Sequence, residues 1–193
     1  MRTDLSQYNN MWYRPGPWAK RVAWYLASAL FFRSAFPFSG PKRGLLRVFG
    51  ASVGRGVMIK PHVTIKYPWF LTIGNYTWIG ENVWIDNLAQ VDIGAHACLS
   101  QGALLLTGNH DYRQPAFDLV LRPIRLEEGV WIGARAIVCP GVTCRSHAVL
   151  SVGAVATADL EPYSVYAGNP AQKKGDRIKA PSLTTQEEVW KDQ

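Results

Sequence analysis

The fold class this sequence predicts is a parallel β-helix, and three observations carry it. First, Leu126, Ile132, Val138, Cys144, Leu150 and Ala156 recur at steps of six. Second, Val130, Ala136, Val142, Ala148 and Ala154 follow the first five of these by four residues, all small or aliphatic. Third, a glycine often sits beside the anchor, as in Ile132-Gly133. An α-helix turns about 100° per residue, so a six-residue step would scatter the apolar set over three faces. A plain strand needs a period of two and no turn former every six. Short strand, turn, short strand, turn is the arrangement that uses such a repeat.

The chain divides along this frame. Residues 1–18 are polar and aromatic, with Arg14-Pro15-Gly16-Pro17 as a breaker. Residues 19–36 (AKRVAWYLASALFFRSAF) predict a helix. Its apolar stretch between Arg21 and Arg33 falls short of the roughly 20 residues a bilayer span needs. No small-residue cleavage site follows cleanly, so a secretory signal is not expected. Two compatible roles stand. The helix can cap one end of the solenoid, because exposed solenoid ends need covering. It can also lie on a membrane surface, with Trp24, Phe31 and Phe32 entering the lipid and basic residues at its ends. Residues 37–41 read as a linker, and 42–50 (KRGLLRVFG) as a short basic lead into the first coil.

Coils are expected over 53–106 and 126–161. Val53, Ile59 and Ile65 start the series, and Ile73, Ile79, Ile85, Ile93, Leu99 and Leu105 continue it. The step widens to eight between Ile65 and Ile73 and between Ile85 and Ile93, which suggests three hexapeptides plus two residues per coil. Residues 107–125 interrupt the repeat without losing its register. A loop that breaks a rigid scaffold is where function is first sought. From Glu161 the six-residue spacing lapses, with Asn169-Pro170 as a turn signal. The tail 176–193 contains a short helix candidate, Thr184 capping and Glu187 answering it. The expected organisation is an arm with one helix (1–44), a β-helix domain (45–175) and a tail (176–193).

Charge is uneven. Residues 1–60 hold ten Lys/Arg against the single acid Asp4, whereas residues 61–193 hold eleven against thirteen acids. The basic character therefore belongs to the arm. No nucleic-acid motif accompanies it, so an anionic membrane surface is the better-matched partner. The arm is expected to matter for location more than for chemistry. Cys98, Cys139 and Cys144 show no paired spacing. An odd count without a signal peptide suggests a reducing compartment.

The frame also sorts the four histidines. His62, His96 and His147 each follow an anchor by three residues and share one outward position of the repeat. Surface or subunit contact is the expectation for them. His110 alone lies in the interrupting loop, within Thr107-Gly108-Asn109-His110-Asp111-Tyr112. A loop histidine beside an acid is a candidate general base.

The hexapeptide frame, the TGNHDY loop, GVWIGARAIVCPGVT, VGAVAT and YAGNPAQ together resemble the left-handed β-helix acyltransferases. Within these the chain is most similar to the colanic-acid-biosynthesis, maltose and galactoside O-acetyltransferase types, over roughly residues 45–175. The resemblance implies a left-handed coil and a homotrimer with active sites at subunit boundaries. It implies transfer of acetyl from acetyl-CoA to a saccharide or sugar-lipid hydroxyl, with His110 as base and no metal. Trp131, Ala134, Gly153 and Thr157 correspond to positions lining the acyl-CoA groove. Lys173 or Lys174 would meet the CoA phosphates. Asp86 and Asn87 match a polar pair on the acceptor sugar, although an Asp-Asn pair is also a common turn former. Asp111 would contact the acceptor side and orient His110. No Ser or Cys stands in an activating motif, so direct attack is favoured over an acyl-enzyme. A cytoplasmic enzyme held at the inner membrane face through residues 1–44 is the resulting expectation. An amine or other small acceptor, a γ-carbonic-anhydrase-like zinc enzyme lacking an evident third ligand, and a non-catalytic solenoid are the competing readings.

Overall fold

The computed structural model describes residues 2–177. The C-terminal helix expected around Thr184 and Glu187 lies outside the described residues. The chain winds a left-handed parallel β-solenoid of about six turns behind two helices. Three sheets form its faces. The first holds Ser52–Val53, Leu71–Ile73, Val91–Ile93, Ile124–Leu126 and Thr143–Cys144. The second begins at Met58–Ile59 and runs through Trp78–Ile79, Cys98–Leu99, Trp131–Ile132 and Val149–Leu150 to Ser164–Ala167. The third stacks Thr64–Ile65, Trp84–Asp86, Leu104–Leu106, Ile137–Val138 and Val155–Ala156.

The register turns the six-residue step into three apolar columns. Ile59, Ile79, Leu99, Ile132 and Leu150 stack in line on the second face and are all buried. Ile65, Ile85, Leu105, Val138 and Ala156 do the same on the third. Each such aliphatic contributes roughly 1.5–3 kcal/mol by leaving water.

The residue three after an anchor makes the corner. Gly56, His62, Tyr76, Asn82, His96, Gly102, Gly129, Arg135, Gly141, His147 and Gly153 all have φ between 56° and 100°. That left-handed conformation suits glycine and tolerates Asn and His better than branched residues. His62, His96 and His147 are thus corner residues, as their shared position implied. Two pack in line with neighbouring coils: His96 stacks on Tyr76 at 5.4 Å and His147 on Tyr163 at 4.7 Å.

The arm departs from expectation. Helix α1 spans Trp18–Phe31, but a second helix, α2 (Ser39–Val48), replaces the expected linker and basic lead. Its role is to satisfy the open backbone edge of the first coil. Arg47 donates to the Val53 carbonyl at 2.7 Å and Arg43 to Val57 at 2.7 Å. Lys42, fully buried, donates to Ile59 at 3.2 Å and Lys60 at 2.8 Å. Trp24 of α1 closes the series by donating to Ile65 at 2.9 Å. Unpaired edge groups invite association with other chains, and this edge is covered.

Trp24 and Phe32 are therefore core residues, 3% and 0% exposed, and not the lipid-facing set. The exposed apolar face of α1 is Trp18, Val22, Tyr25, Leu26 and Leu30 instead. Among the described residues no helix is long and apolar enough to cross a membrane. At the other end, Gln172–Asp176 returns antiparallel along Ser164–Ala167 and covers the last strand.

Candidate active site

The interruption at 107–125 is a β-hairpin. Gly108–His110 pairs antiparallel with Leu119–Leu121, and Asp111 N–H donates to the Asp118 carbonyl at 2.8 Å. Its root is tied down by Thr107, which is buried. The Thr107 hydroxyl donates to the Asp86 carbonyl at 2.9 Å and accepts from Ala89 N–H at 3.0 Å. One side chain thus fixes both the hairpin and the turn after Asp86.

His110 ends the first hairpin strand, half-buried. Its ring lies flat on Phe117, with centroids 4.4 Å apart and planes 7° apart. Its Nδ1 is 2.8 Å from the Phe117 carbonyl oxygen. A carbonyl can only accept, so Nδ1 carries the hydrogen, and in the neutral ring Nε2 holds the lone pair. Phe117 delivers that carbonyl from the left-handed region, at φ 53°. The arrangement holds the neutral imidazole in one tautomer and one orientation, and no hydrogen bond reaches Nε2 among the described residues.

The expected orienting role of Asp111 falls to Phe117. The Asp111 carboxylate accepts from Arg113 N–H at 3.0 Å and shapes the hairpin tip. Phe117 was not singled out in the sequence. A backbone carbonyl leaves no mark on residue type, and a lone Phe seven residues on carries no motif.

Asp86 and Asn87 separate. Asp86 is mostly buried and pairs with Lys66 at 3.0 Å. It lines a cavity of about 460 Å³ between α1 and the third face, with Trp18, Arg21, Tyr25, Tyr67 and Trp84 among its walls. Asn87 is fully buried, and its amide is spent on the backbone. It accepts from Lys66 N–H and Tyr67 N–H at 3.1 and 3.0 Å, and donates to the Tyr67 and Phe70 carbonyls at 2.6 and 3.2 Å. That exhausts its hydrogen-bonding capacity. The Asn87 amide thus ties together the turn at 66–70.

The expected donor-side residues lie on the C-terminal coils. Trp131 is exposed on the second face and donates its indole N–H to Ser100 at 2.9 Å. Ala134 and Gly153 meet at the next corner, Gly153 N–H donating to the Ala134 carbonyl at 2.9 Å. Thr157 is exposed just past Val155–Ala156. The lysine pair divides too. Lys173 is held by Glu161 at 2.9 Å and Asp176 at 3.0 Å. Those two carboxylates raise its pKa above the ordinary lysine range. Lys174 has no ion pair among the described residues and is exposed.

A left-handed parallel β-solenoid whose repeat is broken by one histidine-bearing hairpin defines a class, the hexapeptide-repeat solenoids. No protein-family profile matches the chain. Individual relatives do. A protein described as a colanic acid biosynthesis acetyltransferase, WcaF of Escherichia coli (strain K12), is 39% identical over 134 residues, covering 69% of this chain and 74% of its own. Nodulation protein L of Rhizobium meliloti (strain 1021) is 35% identical over 64% of this chain and 69% of its own. A hexapeptide-repeat acetyltransferase structure from Vibrio cholerae superposes with TM-score 0.75 at 24% identity, covering 83% of this chain and 92% of that one. A galactoside acetyltransferase in complex with coenzyme A also gives 0.75 at 22% identity, over 86% and 89%. The chain belongs to the hexapeptide-repeat acetyltransferase family.

Proposed function

We propose that this enzyme transfers an acetyl group from acetyl-CoA to a saccharide hydroxyl, with His110 as general base. The observation that carries the proposal is the Nδ1–Phe117 carbonyl hydrogen bond, which leaves Nε2 as the acceptor of a proton. A sugar hydroxyl is a poor nucleophile until its proton is taken as it attacks. The hydroxyl oxygen bonds to the thioester carbonyl carbon while its proton passes to Nε2. The tetrahedral oxyanion then collapses, the C–S bond breaks, and His110 returns the proton to the departing thiolate. Backbone N–H groups of the solenoid corners are suitable donors to the oxyanion.

The donor reading draws support from a similar Vibrio cholerae structure complexed with acetyl coenzyme A. We assign the donor to the corner of Ala134 and Gly153, with Trp131 and Thr157 flanking it and Lys174 on the phosphates. We assign the acceptor to the region that runs from His110 to the cavity that holds Asp86. The saccharide assignment is supported by the names of WcaF and galactoside O-acetyltransferase.

The enzyme is proposed to work as a homotrimer. Met58, Trp78, Cys98, Trp131 and Val149 stand in line on the outside of the second face, and Thr64, Trp84, Leu104, Ile137 and Val155 on the third. The first face shows Ser52, Thr72, Asp92, Arg125 and Thr143. Two apolar faces and one polar face suit a closed ring in which each chain's second face meets its neighbour's third. The apolar stripe of α1, with Arg14, Arg21 and Arg33 nearby in sequence, is proposed as a peripheral contact with anionic membrane. An acetyl-CoA assay against free oligosaccharides, nucleotide sugars and lipid-linked sugars tests the reaction. Turnover with at least one saccharide class is expected. Turnover restricted to amines overturns the O-acetyl assignment.

A further inference from the structure

The segment ahead of α1 lies along the candidate site, where a role in location alone would not put it. Asp4 N–H donates to the Pro115 carbonyl at 2.9 Å, in the hairpin tip. The Asp4 carboxylate then folds Leu5–Gln7 into a single 3₁₀ turn, accepting from the Ser6 N–H at 3.1 Å, the Ser6 hydroxyl at 2.6 Å and the Gln7 amide at 2.9 Å. Those bonds hold the carboxyl below the usual carboxylate range. Tyr8 follows, and its ring centroid is 5.7 Å from that of His110, with planes at 53°. Five residues on, Tyr13 donates its hydroxyl to the Leu88 carbonyl at 2.7 Å. Leu88 itself packs on Gly108 at the hairpin root, where a Cβ would come within 2.7 Å of it. Trp18 then opens α1 and lines the cavity that holds Asp86. One strap therefore runs from the hairpin tip, past the base, to the cavity.

The strap is not explained by folding. None of residues 2–17 is fully buried, and Leu5, Met11 and Trp12 are exposed. It contributes little to the core, yet three separate contacts hold it against the hairpin and the turn after Asp86. Folding stability does not require an aromatic ring this close to the imidazole. A sugar does use one: the C–H face of a pyranose packs on aromatic rings, and its hydroxyls need a wall to fix which one reaches the base.

We propose that Asp4–Tyr13 forms one wall of the acceptor site, and that Tyr8 is the specificity-determining residue that holds the acceptor ring against His110. This rests on the acetyl transfer proposed above. The strap acts on the acceptor and not on acetyl-CoA, whose assigned residues lie on other coils. The ring of Tyr8, and not its hydroxyl, is the operative group.

Full-length Tyr8→Ala, Tyr8→Phe and Val48→Ala enzymes test this in two ways. In steady-state kinetics Tyr8→Ala should raise the saccharide KM by about 2- to 10-fold, the span of one aromatic ring contact. The acetyl-CoA KM should stay within about twofold of wild type. Tyr8→Phe should match wild type on both, and so should Val48→Ala, an exposed α2 residue outside the strap and both sites. An unchanged saccharide KM in Tyr8→Ala, or an equal rise in both constants, overturns the proposal. The second readout needs no turnover: carbethoxylation of His110 by diethyl pyrocarbonate, followed by peptide mass spectrometry. Tyr8→Ala should accelerate modification of His110 while His62 and His96 react as in wild type. An unaltered His110 rate refutes the strap contact, even if no saccharide proves to be a substrate. Absence of transfer by wild type, with a faster His110 in Tyr8→Ala, instead removes the acceptor assignment and leaves the contact standing.

Discussion

Asn87 and Thr107 each tie separate stretches of backbone together. Asn87 is saturated by four backbone partners in 66–70, so removing its amide strands buried N–H and C=O groups. Each stranded group costs about 1–3 kcal/mol. Asn87→Ala should therefore lower the melting temperature, while the folded fraction binds acetyl-CoA as wild type does by calorimetry. An unchanged melting temperature with lost acceptor affinity would return Asn87 to the acceptor site. The lysines are separable in the same way. Lys174→Ala should weaken acetyl-CoA several-fold, because a phosphate contact of this kind contributes on the order of 1 kcal/mol. Lys173→Ala should change it by less, since Glu161 and Asp176 already hold that ammonium. A larger effect at Lys173 would reverse the assignment. At this scale the sequence frame was informative about histidines. The six-residue step placed His62, His96 and His147 at one position, and that position is the left-handed corner. It set His110 apart for the same reason. Phe117 was illegible, because its contribution is a carbonyl aimed by the hairpin.

Helix α2 illustrates tertiary contacts overriding local signals. Pro37, Gly40 and Pro41 argue for a linker, yet Ser39–Val48 is helical because Lys42, Arg43 and Arg47 each find carbonyls on the first coil. Part of the arm's positive charge is thus explained by capping. Burial lowers the Lys42 pKa from 10.5. In the window just below 10.5 the unfolded chain then holds more protons than the folded one. Stability from this residue should rise with pH across that window. Lys42→Met should abolish that rise and, by stranding two carbonyls, cost about 1–3 kcal/mol below it. Urea midpoints for both proteins across that window provide the check, and parallel pH slopes would contradict it. The hairpin was legible only as a break in register. Strands of three residues are too short for alternation to show.

The molecule as a whole has a polar face, two apolar faces and an apolar helix stripe. If the apolar faces meet across copies, light scattering at micromolar concentration should give three times the mass of one chain; a monomer would contradict the ring. If the stripe of Trp18, Val22, Leu26 and Leu30 meets lipid, vesicle sedimentation should show binding to anionic vesicles that weakens with salt. Val22→Asp with Leu26→Asp should abolish it, and equal recovery in the supernatant with and without vesicles would leave α1 as a cap alone. The coil periodicity and the family were legible because a hexapeptide repeat writes its three faces directly into spacing. The hand of the coil was not, because spacing is identical in either sense; the family resemblance supplied it. The strap over His110 was also hidden, because residues as far apart in sequence as Tyr8 and His110 share no local pattern. The central claim is that His110 takes the acceptor's proton. Loss of a general base typically costs about 10²- to 10⁴-fold in rate. With acetyl-CoA and a responsive saccharide, His110→Ala should lose kcat over that range, with acetyl-CoA affinity and oligomeric mass unchanged. Retention of more than about a tenth of wild-type turnover, outside the range for a lost base, would contradict the account.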